Sequence, residues 1–153
     1  VHPEPARVKA LVQRVSEASV TVDGAVVGAI GPGLLALVCA EPNDTPSTGA
    51  RLLAKVLKLR VFADEAGKMN RSLQDVQGGL LLVSQFTLAA DTRGGNRPSF
   101  AGAAPPEQAR RLWEALLEDA RRLHPVVAAG VFGADMKVAL VNDGPVTLPL
   151  QMD

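Results

Sequence analysis

Apolar and polar positions divide the chain into short strand-like and helix-like stretches. Val8 to Ser16 reads as a strand, followed by Ala18 to Asp23, where Val20 and Val22 alternate with Ser19 and Thr21. Asp23-Gly24 is a hairpin dipeptide, because both positions of a type I′ turn need positive φ. Ala25 to Ile30 returns as its partner, and Gly31-Pro32-Gly33 breaks the chain again. Leu34 to Cys39 is apolar without interruption, which predicts a strand buried on both faces. After the loop at Glu41 to Asp44, Thr45 and Pro46 make a helix start: threonine can cap the free N–H groups, and proline suits the first helical position. Leu52, Leu53, Val56 and Leu57 then give a helical face through about Lys58. Leu59 to Phe62 predicts the start of another strand, Asp64 to Lys68 a turn, and Leu80 to Phe86 a second strongly apolar strand.

The second helix has the clearest periodicity. Ala109, Leu112, Trp113, Leu116, Leu117, Ala120 and Leu123 form a single stripe, with charged residues on the other faces and Pro125 as the stop. Met136 to Val141 and Val146 to Leu150 predict two short strands around a tight turn at Asn142-Asp143-Gly144-Pro145. There is no internal repeat or linker. The pattern predicts one α/β domain over residues 8–153, with most strands in antiparallel hairpins and residues 1–7 as a loose N-terminal extension.

Composition removes several classes of chemistry. The chain has 153 residues, with Lys+Arg 16 balancing Asp+Glu 16. That neutrality argues against a broad nucleic-acid binder resting on many phosphate contacts, though not against a protein that grips one end of an RNA. Cys39 is the single cysteine, so no intrachain disulfide forms, and a reducing cytoplasm is the natural compartment. With His2 and His124 as the only histidines, a Cys/His zinc site is nearly excluded and no metal or other cofactor is expected. The longest apolar run, Leu34 to Ala40, is far short of a membrane span, and the first residues lack the features of a signal peptide. The nucleophile elbow, zinc-protease and phosphate-loop motifs are absent. His124 closes a helix, where a favourable terminal charge is its ordinary role, and Cys39, inside an apolar strand, reads as a buried inert thiol.

Two local constellations remain. Ser84-Gln85-Phe86-Thr87-Leu88 leaves the apolar strand, and continued alternation would send Ser84 and Phe86 to one face and Gln85 and Thr87 to the other. Strand exits can project hydroxyls, an amide and backbone N–H groups from a rigid base, although Ser and Thr there are usually turn formers. The second, Asn142 to Thr147, is as bare chemistry a tight turn. Its proline bond can be cis, as ~5–6% of such bonds are. The preceding glycine permits backbone geometries a side chain would block. Such a turn could aim two carbonyl oxygens at an ammonium group.

Taken together, these strings resemble the D-aminoacyl-tRNA deacylases, also called D-tyrosyl-tRNA deacylases. The matching pieces are Ala10 to Val15, Gly67 to Ser72, Ser84 to Leu88 with Asp91-Thr92, Arg97 to Phe100, Phe132 to Met136, and Asn142 to Thr147, in order over Val8 to about Leu150. The resemblance implies a homodimer of a compact three-layer fold, helices packed on a largely antiparallel, barrel-like pair of sheets. It implies hydrolysis of the ester joining a D-amino acid, or mischarged glycine, to the 3′-terminal adenosine of tRNA. Gly144 and Pro145 would then reach into the partner subunit's site, present their carbonyls to the α-ammonium group and refuse L-residues by a clash. Ser84, Gln85, Phe86 and Thr87 would line the reacting end, with backbone N–H groups on the oxyanion. Thr87 is a possible nucleophile by this resemblance. No histidine base is evident beside it, however, so a positioning role with help from the ribose 2′-hydroxyl is preferred. Arg14 would lock the Gly144-Pro145 turn, and Phe132 and Met136 would flank the adenosine. Arg93, Arg97 and Lys137 are candidates for phosphate contacts, though solvated loop charges are their ordinary reading. Position 89 is alanine where many relatives carry an aromatic, which would loosen the rim of the site. Two other readings stay open on the residues alone: a non-catalytic dimeric binder of RNA ends, and a small hydrolase of free D-amino acid esters.

Overall fold

The computed structural model describes residues 8–152; the expected extension at 1–7 lies outside the described residues. Element order is β1 (Val8–Val22), β2 (Ala25–Ile30), β3 (Gly33–Cys39), α1 (Pro46–Lys58), β4 (Phe62–Ala63), β5 (Met69–Arg71), α2 (Leu73–Val76), β6 (Gly79–Ser84), α3 (Pro106–Leu123), β7 (Val127–Ala129) and β8 (Lys137–Met152). Six strands form one sheet in the order β2-β1-β3-β6-β7, with β8 on the other edge of β1, while β4 and β5 make a small separate ribbon. This is the anticipated α/β domain, helices on a barrel-like sheet. β1 pairs antiparallel with β2, β3 and β8, whereas β3–β6 and β6–β7 are parallel and joined by crossovers that carry the helices.

β1 organises the sheet. It is one strand rather than two, with Lys9 to Val15 paired to β3 and Ala18 to Val22 paired to β2. Asp23 and Gly24 both have positive φ, 50° and 80°, as the type I′ turn requires. The sheet curls until β2 nears β7. A Cβ on Gly28 would lie 2.6 Å from the Ala129 carbonyl oxygen, so only glycine permits that approach.

Alternation along the central strands divides the core. Val12, Leu34, Ala36, Leu80 and Leu82 face α1 and α3, where Leu52, Leu53, Val56, Trp113 and Leu116 meet them. Val15, Val20, Leu35, Leu81 and Val83 fill the inside of the curled sheet. Each fully buried Leu or Val contributes roughly 1.5–3 kcal/mol. α1 starts where the sequence indicates: the Thr45 hydroxyl accepts from the Thr48 N–H (3.4 Å), and the Thr48 hydroxyl accepts from the Thr45 N–H (3.3 Å).

The C-terminal expectation needs correction. β8 is a single strand antiparallel to β1 throughout, so residues 142–145 do not reverse the chain. Asn142 pairs with Val15 and Thr147 with Gln13, leaving Asp143, Gly144, Pro145 and Val146 opposite Arg14 alone. The predicted turn is a large, four-against-one bulge within one strand. Its surplus residues arch away from the sheet because β1 offers no partners for them.

Candidate active site

β6 ends at Ser84, not at Phe86. The Gln85 N–H still donates to the Val38 carbonyl (2.8 Å), but Phe86–Ala89 then winds into a 3₁₀ turn. The two-face alternation expected of Ser84 to Thr87 therefore stops at the strand end. Instead, the Gln85 side-chain amide donates to the Thr87 hydroxyl oxygen. Further along, the Leu88 N–H donates to the Gln85 carbonyl (3.3 Å) and the Ala90 N–H to the Thr87 carbonyl (3.1 Å). The amides of Phe86 and Thr87 open the turn, so the i→i+3 pattern supplies no acceptor for them within it.

Cys39 lies beneath this segment, its thiol donating to the Phe86 carbonyl at 3.7 Å. Burial first, then the charge of Glu41, pushes that thiol up from its ordinary 9.0 to about 11. It is inert, as its apolar strand indicated. Phe86 is 60% exposed, and its ring meets Phe100 edge to face at 5.1 Å and 77°.

A cleft of about 650 Å³ opens here, lined among others by Ser84, Gln85, Phe86, Phe100, Phe132 and Met136. Most of its wall is apolar or aromatic, with Ser84 and Gln85 at the strand exit and Asp135 beside Met136 as its polar side chains, the usual make-up of a small-molecule site. The Arg110 guanidinium lies 4.9 Å from the Phe132 ring centroid, a cation–π contact that steadies the ring. Sequence reasoning missed Phe100 and Arg110 as site residues. Phe100 sits in a loop without periodicity, and Arg110 reads from the sequence as one more charge on the polar face of α3. Thr87 is exposed and does not line this cleft.

Arg14, Gly144 and Pro145 form a second group. Arg14 Nε donates to the Asp143 carbonyl (2.9 Å) and Nη1 to the Val61 carbonyl (2.6 Å). The Asn142 side chain braces the bulge from within, accepting from the Val146 N–H (2.9 Å) and donating to the Thr147 hydroxyl (2.8 Å). The Gly144–Pro145 peptide is cis, and Gly144 has φ 135°. A Cβ there would come within 2.9 Å of both Arg14 Nη2 and a Val146 methyl. The bulge is thus held from both sides while Gly144 and Pro145 themselves are exposed. Neither lines the cleft of their own chain.

The remaining candidates fall elsewhere. His124 does close α3, but it is 3% exposed and its Nε2 is 2.7 Å from the Gly78 carbonyl oxygen. It ties the helix end to the start of β6 rather than standing as a surface charge. Arg93 is paired with Asp91 (2.8 Å) and Lys137 with Asp135 (3.5 Å), while Arg97 is exposed and does not line the cleft. Ala89 is 6% exposed, buried at the end of the 3₁₀ turn rather than on the rim. Among the described residues, no three His, Cys, Asp or Glu side chains gather as metal ligands. No helix is long and apolar enough to cross a membrane.

Known proteins place this architecture. The profile of the family described as D-Tyr-tRNA(Tyr) deacylase matches residues 11–151. The D-aminoacyl-tRNA deacylase of Paracidovorax citrulli is 67% identical over 142 residues, covering 93% of this chain and 92% of the relative. That of Variovorax paradoxus is 65% identical over 144 residues, covering 94% and 99%. A solved structure described as c-Myc DNA Unwinding Element Binding Protein superimposes with a TM-score of 0.88 at 44% identity, covering 93% of this chain and 97% of that one. The match takes in the strand exit and the bulge, from within β1 almost to the end of β8, and the chain belongs to the D-Tyr-tRNA(Tyr) deacylase family.

Proposed function

We propose that this chain hydrolyses the ester bond of D-aminoacyl-tRNA, and of glycyl-tRNA mischarged on a non-cognate tRNA, acting as a homodimer in the cytoplasm without a cofactor. The observation that carries this reading is the arrangement of two complementary parts. One is a cleft with a strand exit in its wall, where a 3₁₀ turn begins and supplies its own first amides with no acceptor. The other is a rigid, exposed loop that its own cleft does not use. A loop braced by Arg14 and Asn142 yet facing outward suits a second copy of the chain as its receiver.

In this reading the Gly144 and Pro145 carbonyls accept from the substrate's α-ammonium group. Pro145 has no N–H, and the Val146 N–H is taken by Asn142, so the loop tip is rich in acceptors. With the amine fixed there and the ester fixed at Phe86, two positions remain on the α-carbon, and handedness decides which of them the side chain takes. A D-side chain points away, whereas an L-side chain meets the loop backbone. Glycine has no side chain to refuse.

Hydrolysis follows from position. Water attacks the ester carbonyl carbon, and the Phe86 and Thr87 amides hold the oxyanion that forms. The carbon–oxygen bond to the ribose then breaks, and the departing ribose oxygen takes the proton that the water gives up, the adjacent 2′-hydroxyl of the RNA relaying it. Ser84 and Gln85 shape the reacting end, Thr87 is held by Gln85, and Phe132 and Met136 flank the terminal adenosine.

The test presents D- and L-charged tRNA side by side. Release of amino acid from the D form alone is the expected result. Binding of both without release would favour a binder of RNA ends, and equal rates on free D-amino acid esters would remove the tRNA from the account. Light scattering should give the mass of a dimer.

A further inference from the structure

A second cleft, of about 780 Å³, adjoins the first. Phe86 at the start of the turn lines the site cleft, Ala89 at its end lines the second, and Ala101 belongs to both walls. The two spaces are neighbours that share a wall residue. Their linings differ in kind. The second is polar, with Lys9, Glu41, Asp91, Arg93, Ser99 and Gln151 among its residues.

Its charges balance. Lys9 Nζ meets Glu41 Oε1 at 3.0 Å, and Arg93 meets Asp91 through Nε (3.0 Å) and Nη2 (2.8 Å). Two cations and two carboxylates do not make a general anion trap. They suit a ligand that carries one anionic group and one neutral edge with hydrogen-bond donors. The floor is also fixed: Asp91 and Ser99 exchange backbone hydrogen bonds of 2.8 and 2.9 Å, closing the loop that holds Arg93. The Arg93 side chain is 91% exposed, so its guanidinium can bond a second acceptor while keeping Asp91. Asp91 is engaged through both oxygens, whereas Glu41, at 15% side-chain exposure, meets Lys9 through Oε1.

We propose that this cleft seats the cytidine that precedes the terminal adenosine of tRNA. The proposal rests on the deacylase reading, which puts that adenosine in the neighbouring cleft. A nucleotide has the required character, one phosphate and one base edge. tRNA ends in cytidine-cytidine-adenosine, and cytosine presents an exocyclic amine that Glu and Asp accept from. Arg93 takes the linking phosphate, and Glu41 accepts from the cytosine amine. Uracil carries an oxygen at the same position and would face a carboxylate with no proton between them.

The experiment compares three substrates: the D-aminoacyl ester of adenosine, of cytidylyl-adenosine and of uridylyl-adenosine. For the unaltered protein, kcat/KM on the cytidylyl ester should exceed that on the uridylyl ester by about tenfold, the worth of one good base contact, and that on the adenosine ester, which lacks the linking phosphate as well, by more. The gain should lie in KM. Glu41→Ala should abolish the preference for cytidine over uridine. Arg93→Ala should weaken both dinucleotide esters together relative to adenosine alone. Each variant is judged by ratios among its own substrates, and the cytidine–uridine comparison on the unaltered protein stands even if a variant fails to fold. Equal kcat/KM on all three esters would overturn the proposal, as would a cytidine preference that survives Glu41→Ala. No hydrolysis of the adenosine ester by the unaltered protein would instead overturn the deacylase reading beneath it.

Discussion

Thr87 carries a hydroxyl beside the proposed reacting end, yet its oxygen already accepts from Gln85, and the described structure gives it no basic partner. A hydroxyl without a base is a poor nucleophile. Thr87→Ala should therefore lower kcat about tenfold or less, the loss of one neutral hydrogen bond. Abolished turnover with retained substrate binding would make it the nucleophile. The backbone is the more sensitive part. Phe86→Pro removes one proposed oxyanion donor at the first position of the 3₁₀ turn, where proline is tolerated and the preceding Gln85 is outside the helical region (φ −142°, ψ 85°). It should reduce kcat by about 10²–10³, whereas Phe86→Ala, which keeps the N–H, should cost less. Cys39 gives a prediction of a different kind. With the folded thiol raised to about 11, the unfolded chain loses this proton first as pH climbs past 9.0. Stability should fall between those values, and Cys39→Ser should flatten that part of the pH dependence in thermal melts. The inert character of Cys39 was readable from its apolar run. The edge-to-face contact of Phe86 with Phe100 was not, since nothing local links a strand exit to a loop residue fourteen positions on.

At the scale of elements, legibility followed how local the cause was. The Thr45 cap, the Asp23-Gly24 turn and the stripe of α3 depend on neighbours in the chain, and all three were legible. β8 was not. Gly144 and Pro145 carry every local mark of a chain reversal, and what prevents one is β1, long enough to pair both halves of the strand. The end of β6 was misread for a related reason: Gln85 finds its last ladder partner in Val38, after which β3 has no more backbone to offer. β7 was missed because its three residues become a strand only through their parallel partner β6. Where the cause is local, the cost of removing it is local too. Thr45→Ala deletes one half of the reciprocal cap and should destabilise the fold by about 1 kcal/mol, measurable by urea titration, while leaving kcat nearly unchanged because no residue of α1 lines the cleft at Ser84 to Phe86.

For the whole molecule the decisive matter is which copy of the bulge serves which cleft. Within one chain, the loop held by Arg14 points Gly144 and Pro145 outward, and neither lines the cleft at Ser84 to Phe86. If the proposed dimer joins one chain's loop to its partner's cleft, two inactive variants should repair each other. Gly144→Ala would drive a methyl within 2.9 Å of Arg14 Nη2 and Val146 at a φ of 135°, so the loop should deform and activity should fall. Phe86→Pro disables the cleft and leaves the loop intact. Mixed at equal amounts and allowed to exchange subunits, half of the dimers pair one variant with the other. Each of these has one composite site with both faults and one with neither. Half the dimers with half their sites intact should restore about a quarter of the unaltered activity, provided each composite site works independently. If loop and cleft of the same chain work together, every site keeps one fault and mixing restores nothing. The size of the recovered activity thus reports the path of the loop across the interface.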